Sequence, residues 1–152
     1  MNTFLIDGIG LFIMIAGFII GLGAVTVIDI HGFLGRTSSY WTEAATRTHK
    51  VTKPMIWIGI VLTIIGGTLL YRGEHFSGIP LVHAIIALIL VINGYFLSFK
   101  VSPFLLERER QGRSGELLPA SLQRKLVISL IVSDIGWWGG LVLLVTFIVN
   151  RF

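Results

Sequence analysis

Two polar residues stand inside an otherwise apolar run of this chain, LVHAIIALILVINGYFLSFK at residues 81–100. His83 has the chemistry to ligate a metal or a haem iron, or to carry a proton. Asn93 has the chemistry to hydrogen-bond a neighbouring helix. Because polar groups are costly at membrane depth, each needs a structural or functional reason. His83 is therefore our candidate metal and cofactor ligand.

Three carboxylates accompany them within or at the ends of other apolar runs: Asp7, Asp29 and Asp134. Counting a helical rise of about 1.5 Å per residue, we expect Asp7 beside His83 at one end of a bundle. The same count predicts Asn93 beside Asp134 towards the other end, where Asn93 would bond Asp134 or a serine of a neighbouring helix. Asp134 is the costliest placement and should be paired, protonated or facing water. For Asp7 and Asp29, simple solvation at the ends of the runs is the alternative.

Two tryptophans, Trp137 and Trp138, stand near the middle of the last apolar run rather than at an interface. They either fill space against a close-packed neighbour or stack on a flat cofactor. If that cofactor is haem b, its iron would need a second ligand besides His83. Met14, His75 or a second copy of His83 from another protomer would supply it. His31, His49 and His75 are otherwise expected in loops, as solvated side chains.

The elements that must position these residues follow from composition. The chain is 54% hydrophobic and 13% charged, with a mean hydropathy of +0.86, whereas soluble domains carry about 25% charged residues. Four runs approach or exceed the roughly 20 residues that cross a bilayer. We predict an all-α integral membrane four-helix bundle, a single domain over residues 1–152, with spans near 4–28, 55–71, 79–99 and 126–149. The absence of cysteine excludes disulfides and iron–sulfur clusters.

The 12 lysines and arginines sort to two sides of these spans. Four lie between spans one and two and six between spans three and four, whereas Arg72 and Arg151 lie on the other side. By the positive-inside rule, both basic loops are cytoplasmic and both termini face outward, in a bacterial-type inner (plasma) membrane. The net charge of +4 is thus explained by topology. We expect the lipid bilayer as partner, and no nucleic acid.

Local signals refine the helix ends. A separate amphipathic helix is predicted over residues 39–50, and span two is predicted to begin with Thr52 as cap and Pro54 in its first turn. Span three is expected to continue through residues 107–111, bent at Pro103.

Glycines predict how the spans meet. Gly17 and Gly21 in span one, and Gly136 and Gly140 in span four, form GxxxG pairs that favour close helix packing. Since four helices bury little area against one another, we also expect a homo-oligomer.

Three stretches carry a family resemblance: GLGAVTVIDIHGFLGR at the end of span one, HKVTKPMIWIG opening span two, and VHAIIALILVINGYF in span three. They resemble a loose group of small bacterial four-helix membrane families, including the four-helix protoporphyrinogen oxidase and the membrane domain of copper-resistance D proteins. The resemblance implies haem or porphyrin binding, with His83 at the polar position opening span three and Arg36 as the basic residue after span one. The oxidase family carries a histidine in span one, where residues 11–16 here have none.

Three functions remain open at this stage. The first is binding of haem b or a similar flat redox cofactor by His83. The second is an ion or proton pathway, or a small transporter, with Asp7 and His83 at the outer mouth and Asn93 and Asp134 further in. The third is a non-catalytic membrane subunit or assembly factor whose basic loops meet anionic lipid or a soluble partner. No nucleophile–base pair or phosphate loop supports soluble-type enzyme chemistry.

Overall fold

The chain is all-helical in its computed structural model, which describes the backbone of residues 3–151 and the side chains of residues 4–151. The elements are α1 (Thr3–Leu34), α2 (Ser39–Leu70), α3 (Gly78–Phe96), a π-helical turn (Leu97–Val101), α4 (Ser102–Arg110) and α5 (Ala120–Arg151). Because α3, the π-turn and α4 are continuous, the described chain has four helices long and apolar enough to cross a membrane. This confirms the predicted helical class and the prediction of four helices long and apolar enough to span a membrane.

The helices follow one another around the bundle in the order α1, α2, α3, α5. α1 and α2 pack most closely, whereas α2 and α3 meet most loosely. One end of the bundle, here the terminal end, holds both ends of the described chain, since Arg151 bonds Asp7 at 2.9 Å. The opposite basic end holds the connections at 35–38 and 111–119.

Glycines allow the close approach of α1 and α2. A Cβ atom added to Gly17 would lie 2.8 Å from the Gly59 carbonyl oxygen, and one added to Gly10 would lie 3.0 Å from that of Gly66. In each helix the two glycines are seven residues apart, so they lie on one face. Of the predicted GxxxG glycines, Gly21 lies against the Trp137 ring and Gly140 against Phe18, while Gly136 faces Leu90. Both pairs therefore pack helices within one protomer.

α2 is one continuous helix, so the predicted separate helix over residues 39–50 and the cap at Thr52 are wrong. Its cap is Ser38, whose side chain accepts from the Trp41 N–H at 3.5 Å. Thr52 lies within the helix and donates to the Thr48 carbonyl at 3.1 Å. Pro54 removes a single backbone hydrogen bond from a helix that α1 supports along its length, so the helix continues through it.

Where the sequence predicts a bend at Pro103, the helix forms a π-turn at Leu97–Val101. The Ser102 N–H bonds the Leu97 carbonyl, five residues back. In this pattern Pro103 would donate to the Ser98 carbonyl but has no N–H. Lys53 of α2 donates to that carbonyl instead, at 3.4 Å, and Trp57 Nε1 donates to the Ser98 hydroxyl at 3.0 Å. The π-turn is therefore the place of a polar contact between α2 and the continuation of α3 at the basic end.

The buried core is a narrow column along the bundle axis. Its largest members include Phe18, Leu90, Trp137 and Leu144. Large apolar side chains also cover the outside of the bundle, among them Phe12, Ile19 and Ile135. An apolar exterior of this extent suits contact with lipid rather than with water.

Candidate functional site

A cavity of about 510 Å³ lies in the half of the bundle nearer the terminal end. We call it the α2–α3 cavity, because most of its wall comes from these two loosely packed helices. α1 and α5 close its back with Met14, Phe18 and Trp137. Three of the four residues predicted to bind a cofactor (Met14, His83 and Trp137) therefore share one cavity wall. Trp138 is turned away and is 53% exposed on the outer surface of α5.

His83 is 8% exposed and is hydrogen-bonded through both ring nitrogens. Nε2 lies 2.7 Å from the carbonyl oxygen of Gly140, which can only accept, so Nε2 carries a proton and donates. Nδ1 then accepts from the hydroxyl of Tyr71 at 2.8 Å. The two rings are also stacked, with centroids 5.6 Å apart. His83 thus ties α3 to both α5 and the end of α2 as a neutral imidazole.

Tyr71 follows the last residue of α2. Burial raises the pKa of its hydroxyl to about 12, because the ionised phenolate is poorly solvated there. The hydroxyl therefore remains protonated and able to donate to His83 throughout the physiological range.

Axial haem ligation by His83 does not fit this arrangement. An iron would need the lone pair of one ring nitrogen, and binding at either nitrogen would break a buried hydrogen bond. Of the predicted second ligands, Met14 lines the α2–α3 cavity, whereas His75 lies in the connection beyond α2 and does not line it.

Trp137 is the most buried aromatic residue, at 1% exposure. Phe18 packs edge-on against it at 6.0 Å. Its indole Nε1–H is buried and has no acceptor among the described residues, although buried tryptophan N–H groups are normally bonded. The other polar side chains on the cavity wall have partners: Thr63 with the Ile60 carbonyl, Thr68 with the Ile64 carbonyl, Tyr71 with His83, and Glu74 with Arg151.

Asp7 is not the partner of His83 that the helical count predicts. Arg72 approaches it at 3.1 Å and Arg151 at 2.9 Å, and Arg151 also lies 3.8 Å from Glu74. Counting residues gave the right depth for Asp7. It could not show that two arginines from other parts of the chain reach the carboxylate, whereas His83 turns inward.

Asn93 joins α3 to α5 through Ser129 rather than through Asp134. Its Nδ2 donates to the Ser129 carbonyl at 3.0 Å, and the Ser129 hydroxyl donates to Asn93 Oδ1 at 2.7 Å. This is the pairing of an asparagine with a serine across helices that commonly holds membrane bundles together. Asp134 makes no hydrogen bond within the described part of the chain, but it is close enough to Asp29 for the two carboxylates to interact electrostatically.

A second, smaller cavity of about 120 Å³ lies at the basic end. Asp29, His49 and Lys53 are among its lining residues. Asp29 Oδ2 and His49 Nε2 are buried and unpaired within the described residues. The predictions that Asp29 is simply solvated and that His49 lies in a loop are therefore wrong, because α1 continues to Leu34 and α2 begins at Ser39.

His31 is likewise helical, stacked on Trp41 at 5.2 Å. Only His75 of the three histidines expected in loops lies in one. In the sequence, Tyr71, the partner of His83, stands at the end of span two with the polar residues of the connection that follows. The signal in the sequence for this pairing is that Tyr71 and His83 lie at the same level along the bundle.

No protein-family model matches this chain, and no curated protein or solved structure matches it. The resemblance to small four-helix membrane families therefore stays a prediction, and the function must be argued from the geometry above.

Proposed function

We propose that this chain is a multi-pass membrane protein that binds a flat, lipid-soluble organic cofactor in the α2–α3 cavity. The observation that carries the proposal is the cavity itself, about 510 Å³, which lies between α2 and α3 and opens to the outer surface of the bundle. Cofactor sites between the helices of bundles have this size and apolar lining. Met14, His83 and Trp137 all line this cavity, which also supports cofactor binding there.

The membrane setting is supported by the exterior of the bundle. Large apolar residues are exposed on its sides. Its arginines and lysines are concentrated at the ends of the helices, and most of them lie at the basic end. We propose a plasma-membrane location with the basic end in the cytoplasm, from the excess of positive charge there.

An organic cofactor accounts for the cavity better than haem. Both ring nitrogens of His83 are engaged, so the wall offers packing surfaces and hydrogen bonds rather than a free axial ligand. Phe18, Tyr71 and Trp137 supply aromatic faces and edges to a planar ring system.

The test is what accompanies the protein through purification in mild detergent. We expect an organic extract of the purified protein to contain a lipophilic, ultraviolet-absorbing compound by mass spectrometry. Ala87→Phe, which fills the cavity from α3, should abolish its retention. Ile85→Phe, on the same helix but outside the cavity lining, should retain it.

A haem b signal in the reduced-minus-oxidised spectrum, lost in His83→Ala, would replace the organic cofactor by haem. Extracts that contain no such compound, or equal amounts from both phenylalanine variants, would contradict the proposal.

A second candidate function is a proton pathway, and the position of Asp134 favours it. Along α5, Asp134 lies between the last residue lining the basic-end cavity (Leu130) and the first lining the α2–α3 cavity (Gly136). Asp29 lines the basic-end cavity and interacts electrostatically with it. Two neighbouring carboxylates between two cavities form a plausible relay for protons, since intramembrane carboxylates commonly serve this role.

Proton flux into proteoliposomes tests this candidate. We expect Asp29→Asn and Asp134→Asn each to reduce flux by about tenfold or more. Glu43→Gln removes a carboxylate that is paired with Arg47 outside both cavities and should leave flux unchanged. Equal flux in all four proteins would rule the pathway out.

A further inference from the structure

The lysines and arginines of the basic end fall into two groups by their ion pairs. Five are paired with the four glutamates of this end: Arg47 with Glu43, Lys50 with Glu109, Arg110 with Glu107, and Arg108 and Arg113 with Glu116. The other five make no ion pair within the described residues: Arg36, Lys53, Lys100, Arg124 and Lys125. An anionic ligand would therefore find its partners in the second group.

Arg36 is the unpaired cation at the mouth of the basic-end cavity. Of the residues that line this cavity, the exposed ones are Gly32, Phe33 and Arg36, which lie at the end of α1 and just after it. The Arg36 guanidinium lies over the Phe33 ring, 5.4 Å from its centre. A ring face is a weaker partner for a guanidinium than an anionic oxygen is. Arg36 therefore retains its capacity to bind an anion.

The mouth of this cavity lies between α1 and α5, because the other side of α1 is packed closely against α2. Gly32 has nothing within 4 Å of an added Cβ, and Leu126 and Val127 of α5 also line the cavity. Gln123 of α5 donates to the Arg36 carbonyl at 3.4 Å and so joins the two helices at the basic edge of the mouth. The opening therefore lies on the membrane side of Arg36.

Arg124 brings a second cation to the same edge. It follows Gln123 in the chain, and it is exposed. Two guanidinium groups suit a phosphate, whose oxygens accept charge-assisted hydrogen bonds from their N–H groups.

The other ionisable residues on the cavity wall, Asp29, His49 and Lys53, lie deeper in the bundle. By helical rise, Asp29 is about 10 Å from Arg36, so its carboxylate stands away from an anion held at the mouth. Lys53 donates to the Ser98 carbonyl at 3.4 Å. Most of the remaining wall is apolar, which suits hydrocarbon rather than a second polar group.

These features favour an anionic phospholipid over other amphiphiles. At about 120 Å³ the cavity accepts part of one acyl chain, and the rest of the lipid would lie along the outside of α1 and α5. A zwitterionic head group would also bring an ammonium group, and the glutamates of this end are already paired. Basic pockets between membrane helices are typical sites for anionic head groups.

We propose that the mouth of the basic-end cavity binds one anionic phospholipid, whose phosphate contacts Arg36 and Arg124 and one of whose acyl chains enters between α1 and α5. The site lies towards the opposite end of the bundle from the α2–α3 cavity, so its test requires no cofactor there.

Two lipids with identical acyl chains separate recognition of charge from binding of hydrocarbon. Dioleoyl phosphatidylglycerol has an anionic head group, and dioleoyl phosphatidylcholine has a zwitterionic one. Native mass spectrometry of the delipidated protein, titrated with each lipid in one detergent, counts the bound molecules and gives their affinities. We expect the first phosphatidylglycerol to bind the wild-type chain at least about tenfold more tightly than the first phosphatidylcholine.

Substitution of the two arginines tests the head-group contact. Arg36→Gln and Arg124→Gln should each weaken phosphatidylglycerol binding by about tenfold and change phosphatidylcholine binding by less than about twofold, because each removes a charged donor to the phosphate. Arg47→Gln is the matched control, since it removes the same charge at the same end from a residue that is paired with Glu43. It should change either affinity by less than about twofold.

Two glycines of α1 test where the acyl chain lies. Gly32→Leu fills the mouth from α1 and should weaken phosphatidylglycerol binding by about tenfold. Gly23→Leu also enters open space but lies outside the cavity lining, so it should keep the wild-type affinity. The arginine variants decide the head-group contact even if Gly32→Leu does not fold.

Four outcomes would overturn the proposal. Equal affinities of the wild-type chain for the two lipids would remove the preference for an anionic head group. An equal loss in Arg47→Gln and Arg36→Gln would show diffuse attraction to a charged surface instead of a site. Wild-type affinity in Gly32→Leu would exclude the acyl chain from the cavity. Displacement of phosphatidylglycerol by excess glycerol phosphate, which has no acyl chain, would assign the two arginines to a soluble phosphate compound.

Discussion

His83 and Tyr71 show how one buried pair joins three helices. The imidazole donates to the Gly140 carbonyl of α5 at 2.7 Å and accepts from the Tyr71 hydroxyl at 2.8 Å. Each polar atom of the pair is matched, which makes a histidine in an apolar helix tolerable. The same matching makes each partner depend on the other.

Removing the tyrosine hydroxyl tests this dependence. We expect Tyr71→Phe to lower the unfolding free energy by about 0.5–2 kcal/mol, because the buried Nδ1 of His83 loses its donor. Unfolding in mixed micelles with increasing denaturing detergent measures it. Tyr95→Phe is the control, since Tyr95 is 58% exposed on α3 and its hydroxyl has no hydrogen bond within the described residues. Equal losses in the two variants would show that the pair contributes nothing.

The pH dependence of the same pair has a definite sign. Burial raises the pKa of Tyr71 from its ordinary value of 10.0 to about 12. A raised folded-state pKa means that the contribution is fully present below pH 10 and is lost as the pH rises towards 12. The stability advantage of wild type over Tyr71→Phe should therefore be constant up to about pH 9 and decline above about pH 10. Unfolding curves of both proteins at matched pH values test this, and an advantage that declined below about pH 8 would point to another group.

At the scale of helices, the close packing of α1 against α2 depends on glycines at the positions where a side chain would clash with the facing backbone. A Cβ on Gly17 would lie 2.7 Å from the Thr63 backbone nitrogen and 2.8 Å from the Gly59 carbonyl oxygen. Backbone atoms of a packed helix cannot rotate away, so a methyl group there separates the helices. Other glycines of α1 face open space, among them Gly23, which has no neighbour within 4 Å of an added Cβ.

Two alanine substitutions in the same helix separate packing from helix propensity. Gly17→Ala should destabilise the bundle by about 1–3 kcal/mol through overpacking. Gly23→Ala should be neutral or stabilise it by up to about 1 kcal/mol, because alanine favours the helix. The ratio of folded to unfolded protein in a detergent titration measures both changes. A neutral Gly17→Ala would mean that α1 and α2 are not in this close contact.

For the whole molecule, the two ends of the bundle differ in charge. The terminal end holds a compact network in which Asp7 is paired with Arg72 and Arg151. The basic end holds ten lysines and arginines, four at residues 36–53 and six at residues 100–125. Arg108 is buried there and donates to the Glu116 carbonyl at 2.7 Å, which holds the connection between α4 and α5. This asymmetry predicts a single orientation in the membrane.

Because the chain has no cysteine, single cysteines report this orientation without background. Gly73→Cys lies at the terminal end, in open space, and Ser114→Cys lies in the connection at the basic end. We expect a membrane-impermeant maleimide to label Gly73→Cys in intact cells, and Ser114→Cys only after permeabilisation. The reverse pattern would show that the positive charges face outward.

The helical class, the number of helices long and apolar enough to span a membrane, and the end of the bundle at which each polar residue lies follow from the sequence alone. These properties depend on the length of apolar runs, on helical rise and on the positions of charges, which are local or additive along the chain. Accordingly, His83 lies towards the terminal end and Asn93 towards the basic end. The sequence did not predict that α2 continues through Pro54. The proline removes one backbone hydrogen bond, and packing against α1 outweighs this loss. The packing partner is not visible in the local sequence.

Which polar residues meet depends on the packing of the helices against one another. Depth along a helix leaves its rotation about the axis open, so Asp7 and His83 share a level yet face different neighbours. Rotation is set by close packing, and here the glycines of α1 and α2 fix it. That packing leaves α2 and α3 apart, opens the cavity between them and buries Trp137 Nε1 without an acceptor. An unfilled space and an unmatched donor result from how helices fit together, and no single helix sequence encodes either.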